Sequence, residues 1–245
     1  MLMPLRSFAF LLVMAVTLAV FVPVLLLTVV LPVPARFRFA NTWIRFNLGA
    51  LRLLCGLTYE VRGREKIPDE PVIYFAKHQS TLETFLLQVT LPPFSWVLKK
   101  QALHIPLFGW GLAILNPISI DRSAGRSAVE QVRDQGRERL EQGYSVIIFP
   151  EGTRKAPGSP PHYRIGGGVL AEGLNVPLVP VALNTGYFWP PKSLFVRRSG
   201  KAVMEFGDPF HPAGMNARDI VNEMEARIEA ASNRLLAEAG GEMIS

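Results

Sequence analysis

Val72-Ile73-Tyr74-Phe75-Ala76-Lys77-His78-Gln79-Ser80-Thr81-Leu82-Glu83 is the stretch on which the fold turns. Its first four residues are β-branched or aromatic, the composition of a buried strand. Polar residues then interrupt the run. From Leu82 an apolar stripe at helical spacing follows, through Phe85, Leu86 and Val89. A buried strand that passes through a short loop into a helix is the repeating half-unit of an α/β fold.

The same grammar recurs down the chain. Trp96-Val97-Leu98, Ile118-Ser119-Ile120, Val146-Ile147-Ile148-Phe149, Leu178-Val179-Pro180-Val181 and Val203-Met204-Glu205-Phe206 are short runs that predict strands. Helical patterns lie between them. Residues 123–142 carry Val129, Val132 and Leu140 on one face, residues 166–174 form a short apolar helix, and residues 217–239 turn Ile220, Met224, Ile228 and Leu235 inward. The alternation predicts an α/β fold with a mixed, mostly parallel sheet flanked by helices. In such sheets chemistry gathers in the loops beyond the carboxyl ends of strands.

Two of those loops carry chemistry. His78 follows a strand and precedes a helix start, whose positive end favours a neutral imidazole able to accept a proton. Glu83 lies five residues on, and a histidine with a carboxylate partner is the pair that makes an oriented general base. Positions five apart on a regular helix do not face each other, so the pair forms only if the turn folds His78 back. Ser80 and Glu83 also fit a capping box that starts the helix, which is a purely structural use of the same carboxylate. The second loop is Phe149-Pro150-Glu151-Gly152-Thr153-Arg154. Arg154 offers a planar fork suited to phosphate, and Gly152 lets backbone come close to a ligand. A tight turn with a surface ion pair is the plainer reading. His104, His162 and His211 follow no strand and lack a carboxylate at that spacing, which leaves them as surface or packing residues.

The N-terminal part has a different character. Of the 245 residues 49% are apolar and 19% charged, and from Ser7 to Ala35 there is no charged side chain at all. About 20 such residues cross a bilayer as a helix, and the run is too long for the core of a cleaved signal. Residues 1–57 therefore read as a helical membrane anchor and 58–245 as the α/β domain. Pro23 disfavours one straight helix. Two geometries compete: a single tilted span, or a helix that returns and pairs with a second one over residues 37–57. Arg36, Arg38, Arg45 and Arg52 lie among aromatic residues there, which suits a membrane interface or a helix resting on the protein core. Only Arg6 precedes the run, so the positive residues put the α/β domain on the cytoplasmic side. The formal charge of +6 favours anionic partners. No nucleic-acid-binding module is recognisable, which points to lipid headgroups or a phosphorylated substrate instead. The lone Cys55 can close no internal disulfide. There is no Gly-x-Ser-x-Gly elbow and no His/Cys cluster for a metal. A base without an evident protein nucleophile favours direct transfer between two bound substrates.

Four blocks now stand in order: His78-x4-Glu83, Ile118-Ser119-Ile120-Asp121-Arg122, Phe149-Pro150-Glu151-Gly152-Thr153-Arg154 and Val176-Pro177-Leu178-Val179-Pro180-Val181. Together they resemble the four motif blocks of the glycerolipid acyltransferases, in particular the 1-acyl-sn-glycerol-3-phosphate acyltransferases, over about residues 70–186. The resemblance implies transfer of a fatty acyl group from acyl-CoA or acyl-carrier protein to the sn-2 hydroxyl of lysophosphatidic acid, forming phosphatidic acid at a phospholipid membrane, with no cofactor. It casts His78 as the base and Glu83 as its partner. It places Arg122, Glu151, Gly152, Thr153 and Arg154 where the family handles the glycerol phosphate, with Lys99 and Lys100 as further phosphate ligands. Val176–Val181 matches a block linked to acyl or acceptor binding, and also reads as a plain core strand. Two positions depart from the pattern. Glu83 stands where the family usually has Asp, and Asn116 where it usually has Gly; Asn is the next most tolerant residue in a left-handed backbone. Another lysolipid acceptor, such as a lyso-ornithine lipid, a membrane-anchored thioesterase or lipase, and a non-catalytic membrane adaptor are the competing readings.

Overall fold

The computed structural model describes residues 2–174, 176–191, 193 and 198–242, with the side chains of residues 2 and 122 outside that set. In chain order the helices and strands are α1 (Leu2–Leu27), α2 (Val33–Cys55), β1 (Leu57–Arg62), β2 (Ile73–Ala76), α3 (Leu82–Thr90), β3 (Phe94–Lys99), α4 (Phe108–Ala113), β4 (Ile118–Ile120), α5 (Arg126–Glu141), β5 (Ser145–Ile148), α6 (Gly166–Ala171), β6 (Leu178–Leu183), α7 (Thr185–Phe188), β7 (Gly200–Phe206) and α8 (Ala217–Glu238).

The strands form one mixed sheet in the order β1-β7-β6-β2-β5-β3-β4. Five strands, from β6 across to β4, run parallel. β7 is antiparallel to β6 and pairs in parallel with β1. β2 is the middle strand, hydrogen-bonded on both sides, and every residue in it is buried. That is why it reads as an unbroken apolar run rather than an alternating one. The carboxyl ends of β6, β2, β5, β3 and β4 all reach the same edge, so residues following each of them gather there.

Helices cover both faces. On one face α5, α6 and α8 bury Val132, Leu170, Ile220, Met224 and Ile228 against Ile73, Phe75, Val146 and Ile148. On the other face the layer is α3 together with the α1–α2 hairpin. Phe10, Leu25, Phe37, Ile44, Leu48 and Leu51 share one core with Tyr74, Phe94, Trp96 and Val179. The N-terminal helices thus form part of the sandwich as well as a separate apolar surface.

Of the two arrangements read for the N-terminal run, the one that pairs it with a second helix over residues 37–57 is present. α1 and α2 are antiparallel. Trp43 Nε1 donates to Thr17 Oγ1 at 3.0 Å, Phe21 stacks on Phe39 at 4.8 Å, and Cys55 Sγ approaches the carbonyl of Arg6 at 3.7 Å. Pro23 lies inside α1 without ending it; the turn comes later, at Thr28–Val30 and Pro32. Arg36 closes that turn. Its guanidinium donates to the carbonyls of Val29 (2.7 Å), Leu31 (2.8 Å) and Ile114 (3.0 Å). One of the four arginines read as interfacial is therefore committed to capping backbone. Arg38, Arg45 and Arg52 remain exposed along α2. α1 belongs to a 28-residue run, Met3–Val30, long and apolar enough to cross a membrane.

Candidate active site

β2 ends at Ala76, and the chain turns sharply before α3. The turn is held by Glu83, which is completely buried. Glu83 Oε1 accepts from the backbone N–H of Ser80 (2.6 Å) and of Gln79 (2.8 Å), and lies 2.9 Å from His78 Nδ1. Oε2 accepts from the Thr185 hydroxyl at 2.7 Å. The carboxylate reaches back to the N–H of Ser80 as a capping glutamate does, and the same oxygen meets the imidazole.

Those contacts fix the tautomer. The backbone groups are donors only, so Glu83 acts as an acceptor, and His78 Nδ1 must donate to it. Nε2 is left with its lone pair, and among the described residues it has no partner. The ring is clamped flat. It stacks on Phe149 at 4.0 Å and 19°, and Phe149 stacks on Trp96 at 5.5 Å and 15°.

The loop after β5 holds His78 from behind. Glu151 Oε2 accepts the His78 backbone N–H at 3.0 Å, and the Lys155 N–H donates to the His78 carbonyl at 2.8 Å. Glu151 Oε1 accepts from Lys77 Nζ at 3.0 Å. Lys77, itself only 2% exposed, also donates to Glu229 of α8 at 2.6 Å. Tyr163 donates its hydroxyl to the same Glu229 oxygen at 2.9 Å. Burial pushes the Glu151 carboxyl above its ordinary range, and Lys77 opposes that. Burial and the nearby carboxylates push the Tyr163 phenol up as well, which keeps it a neutral donor.

His78 lines an apolar cavity of about 560 Å³. α1 and α2 supply much of its wall, including Phe21, Leu25, Trp43 and Ile44, and Trp96 and Phe149 supply more. Lys99, Gly152, Thr153 and Arg154 also line it. Gly152 has φ +68°, and its N–H closes a tight turn on the Phe149 carbonyl; the left-handed backbone there suits glycine. Arg154 is exposed and gives one hydrogen bond, to Thr81 Oγ1 at 3.2 Å.

Over residues 58–184 the chain matches the acyltransferase family model. It is 42% identical over 210 residues to a 1-acyl-sn-glycerol-3-phosphate acyltransferase of Pseudomonas aeruginosa, covering 85% of this chain and 81% of that protein. The chain belongs to the acyltransferase family. A protein of the same printed name from Saccharomyces cerevisiae is 33% identical over 147 residues, which is 58% of this chain and 48% of the yeast protein. The fold is also that of the crystal structure of the 1-acyl-sn-glycerophosphate acyltransferase PlsC from Thermotoga maritima, with TM-score 0.75, 21% identity and coverage of 95% and 97% of the two chains.

Within this acyltransferase the residues singled out from the sequence fall into three groups. His78, Gly152, Thr153, Arg154 and Lys99 line the cavity, and Glu83 supports His78 from behind it. Glu151 faces inward, 1% exposed, with its oxygens taken by Lys77 and the His78 backbone. Lys100 is exposed and does not line the cavity. The backbone of Arg122 begins a 3-10 turn at the carboxyl end of β4, and its side chain lies outside the described residues. Asn116 takes φ +56°, so the turn before β4 keeps the left-handed backbone that glycine would supply. The sequence reading passed over Lys77, Thr185, Glu229 and the stacking role of Phe149. Lys77 was the detectable one, as a charge placed directly at the end of a buried strand.

Proposed function

We propose that this acyltransferase moves a fatty acyl group from acyl-CoA or acyl-carrier protein to the sn-2 hydroxyl of 1-acyl-glycerol-3-phosphate, giving phosphatidic acid and the free thiol. The names of its relatives support the reaction. The observation that carries the reading is the Glu83-oriented His78 lining an acyl-sized apolar cavity, with Arg154 on the same wall. His78 Nε2 takes the hydroxyl proton as that oxygen attacks the thioester carbonyl. The C–O bond forms, the C–S bond breaks, and the departing thiolate recovers the proton from Nε2. Glu83 balances the charge on the imidazolium. Arg154 and Lys99 hold the acceptor phosphate, the acyl chain fills the apolar part, and no cofactor is required.

In this reading the enzyme sits on the cytoplasmic face of the membrane, where both donors are found. α1 pairs with α2 along its length, and α2 is packed onto the sheet. α1 therefore enters the lipid beside the domain and returns without crossing.

Purified enzyme given lysophosphatidic acid and either donor should form phosphatidic acid, with thiol release that depends on the acceptor. Thiol release at full rate without acceptor would make the protein a thioesterase. Arg154→Lys should raise the acceptor KM about tenfold or more, because the bidentate fork is lost, and leave the donor KM near its native value. Product from a lyso-ornithine lipid alone would remove the phosphate from the assignment.

A further inference from the structure

From Gln101 to Ile120 the chain carries no Asp, Glu, Lys or Arg. This connection between β3 and β4 lies partly at the surface, and it exposes Ile105 (49%), Phe108 (41%) and Trp110 (47%). Single exposed apolar residues are ordinary, but a contiguous patch marks a contact surface. Among the described residues, every other large apolar side chain exposed to a comparable degree, Tyr59 apart, belongs to α1, α2 or the turn between them.

The two patches are continuous. α4 packs against the second half of α1: a β-carbon at Gly111 would stand 3.4 Å from Leu25 and 3.6 Å from Val22. Arg36 ties the hairpin turn to the carbonyl of Ile114, just beyond α4. The local backbone is also held in a costly shape. Pro106-Leu107-Phe108 forms a γ-turn, with the Phe108 N–H on the Pro106 carbonyl at 2.7 Å and Leu107 at φ +63°, ψ −66°, a rare and strained conformation for a branched residue. It is the turn that starts α4 between exposed Ile105 and Trp110. Phe108 and Leu112 meanwhile line the cavity together with Leu18, Phe21 and Leu25 of α1. Lys99 and Lys100, both exposed, come just before the apolar stretch, as cations do where an inserted segment meets anionic headgroups.

We propose that Ile105–Trp110 is a third membrane-inserted element, beside the hairpin, and that the seam between it and α1 is a lateral portal by which a lipid acyl chain passes from the leaflet into the cavity. Tryptophan is favoured at that depth. The proposal rests on reading the cavity as the lipid site and the hairpin as the anchor.

A C55S background leaves no native thiol, so an environment-sensitive fluorophore can be attached to W110C, to F8C on the exposed face of α1, or to R126C on α5, across the sheet. Full-length protein is reconstituted in vesicles of equal parts phosphatidylcholine and phosphatidylglycerol, with nitroxide-labelled phosphatidylcholine as quencher. W110C and F8C should both be quenched, and R126C should not. Quenching of F8C with W110C behaving like R126C would overturn the portal and leave the anchor standing. Absence of quenching at F8C would remove the anchor reading and the portal with it. As a functional arm, an I105D/W110D protein should lose about tenfold or more activity on vesicle-borne lysophosphatidic acid, with activity on a short-chain, water-soluble analogue unchanged. Equal losses on both acceptors would overturn lateral entry.

Discussion

Glu83 Oε1 collects three hydrogen bonds and Oε2 a fourth, all from groups fixed by backbone or burial. In the proposed transfer a carboxylate so restrained can neither rotate away from His78 nor relax when the imidazole becomes charged, which is the preorganisation that electrostatic catalysis depends on. Glu83→Gln keeps the shape and an acceptor for Nδ1 but removes the charge. It should lower kcat by roughly 10²–10⁴ with both KM values little changed, and His78→Ala should fall in the same range. Native circular dichroism in both variants would confirm that the loss is chemical, and near-native turnover in either would reject the base assignment. Lys77 tests a different layer. Lys77→Met leaves Glu151 and Glu229 without their buried cation, an uncompensated arrangement worth about 3–5 kcal/mol. The Glu151 carboxyl, already raised by burial, then rises further. The folded state binds that proton more tightly than the unfolded chain does. Stability is therefore kept at low pH and lost as pH climbs from the unfolded value towards the folded one. The fall in Tm relative to the native enzyme should grow as pH rises above the ordinary carboxylate range, and adding Glu229→Gln should recover part of it. Turnover should drop with the KM values unmoved, because the His78 N–H loses a charged acceptor. A pH-independent deficit would reduce Lys77 to packing.

At the level of elements, what the sequence made legible follows from where each segment sits in the sheet. β2, β5 and β6 are buried centrally, and their unbroken apolar runs declare them. β1 was not foreseen. Leu57–Arg62 pairs with β7 at the sheet edge, so only Leu57 is buried, the rest are half-buried or exposed, and Tyr59, Glu60 and Arg62 leave no apolar run. α4 was missed because two glycines and a proline interrupt its stretch. Gly109 is there for close approach: a β-carbon would meet the Ala102 carbonyl oxygen at 2.4 Å. α7 was invisible for a simpler reason, being one turn long. Yet α7 places Thr185, the fourth donor to Glu83, at the end of the strand whose sequence matched the family's last block. The pairing spans 102 positions, and no local pattern announces it. Thr185→Val conserves volume and deletes that donor. It should cost about 1–3 kcal/mol of stability and lower kcat several-fold, and Thr185→Ser should restore both. Failure of serine to rescue would assign the effect to packing of the methyl group.

In the proposed reading the whole molecule uses its N-terminal hairpin twice, to cover a sheet face and to hold the membrane. Phe10, Val22 and Leu25 point inward and are buried, whereas Leu12, Val16 and Val20 are 55%, 54% and 69% exposed. The exposed three recur every four residues, which puts them on one face of α1. A hairpin serving only as an anchor could be cut off to leave a soluble enzyme, but one that also covers a sheet face cannot. Removing residues 1–30 strips partners from Phe39 and Trp43, and the truncated chain should aggregate and lose its cooperative melting transition. The proposed anchoring role is separable by surface substitution. Leu12→Lys, Val16→Lys and Val20→Lys leave the buried side intact, and each adds about 2.5–3.5 kcal/mol to the cost of sitting in hydrocarbon. The triple variant should move largely into the soluble fraction after cell breakage in high salt, with Tm and secondary structure preserved. Residual binding in low salt would then measure what the exposed arginines of α2 contribute, since that part is screened by salt. Retention in the membrane fraction at both salt concentrations would show that the exposed face of α1 is not what the lipid holds, and a truncated chain that melts like the native enzyme would show that α1 is dispensable to the sandwich.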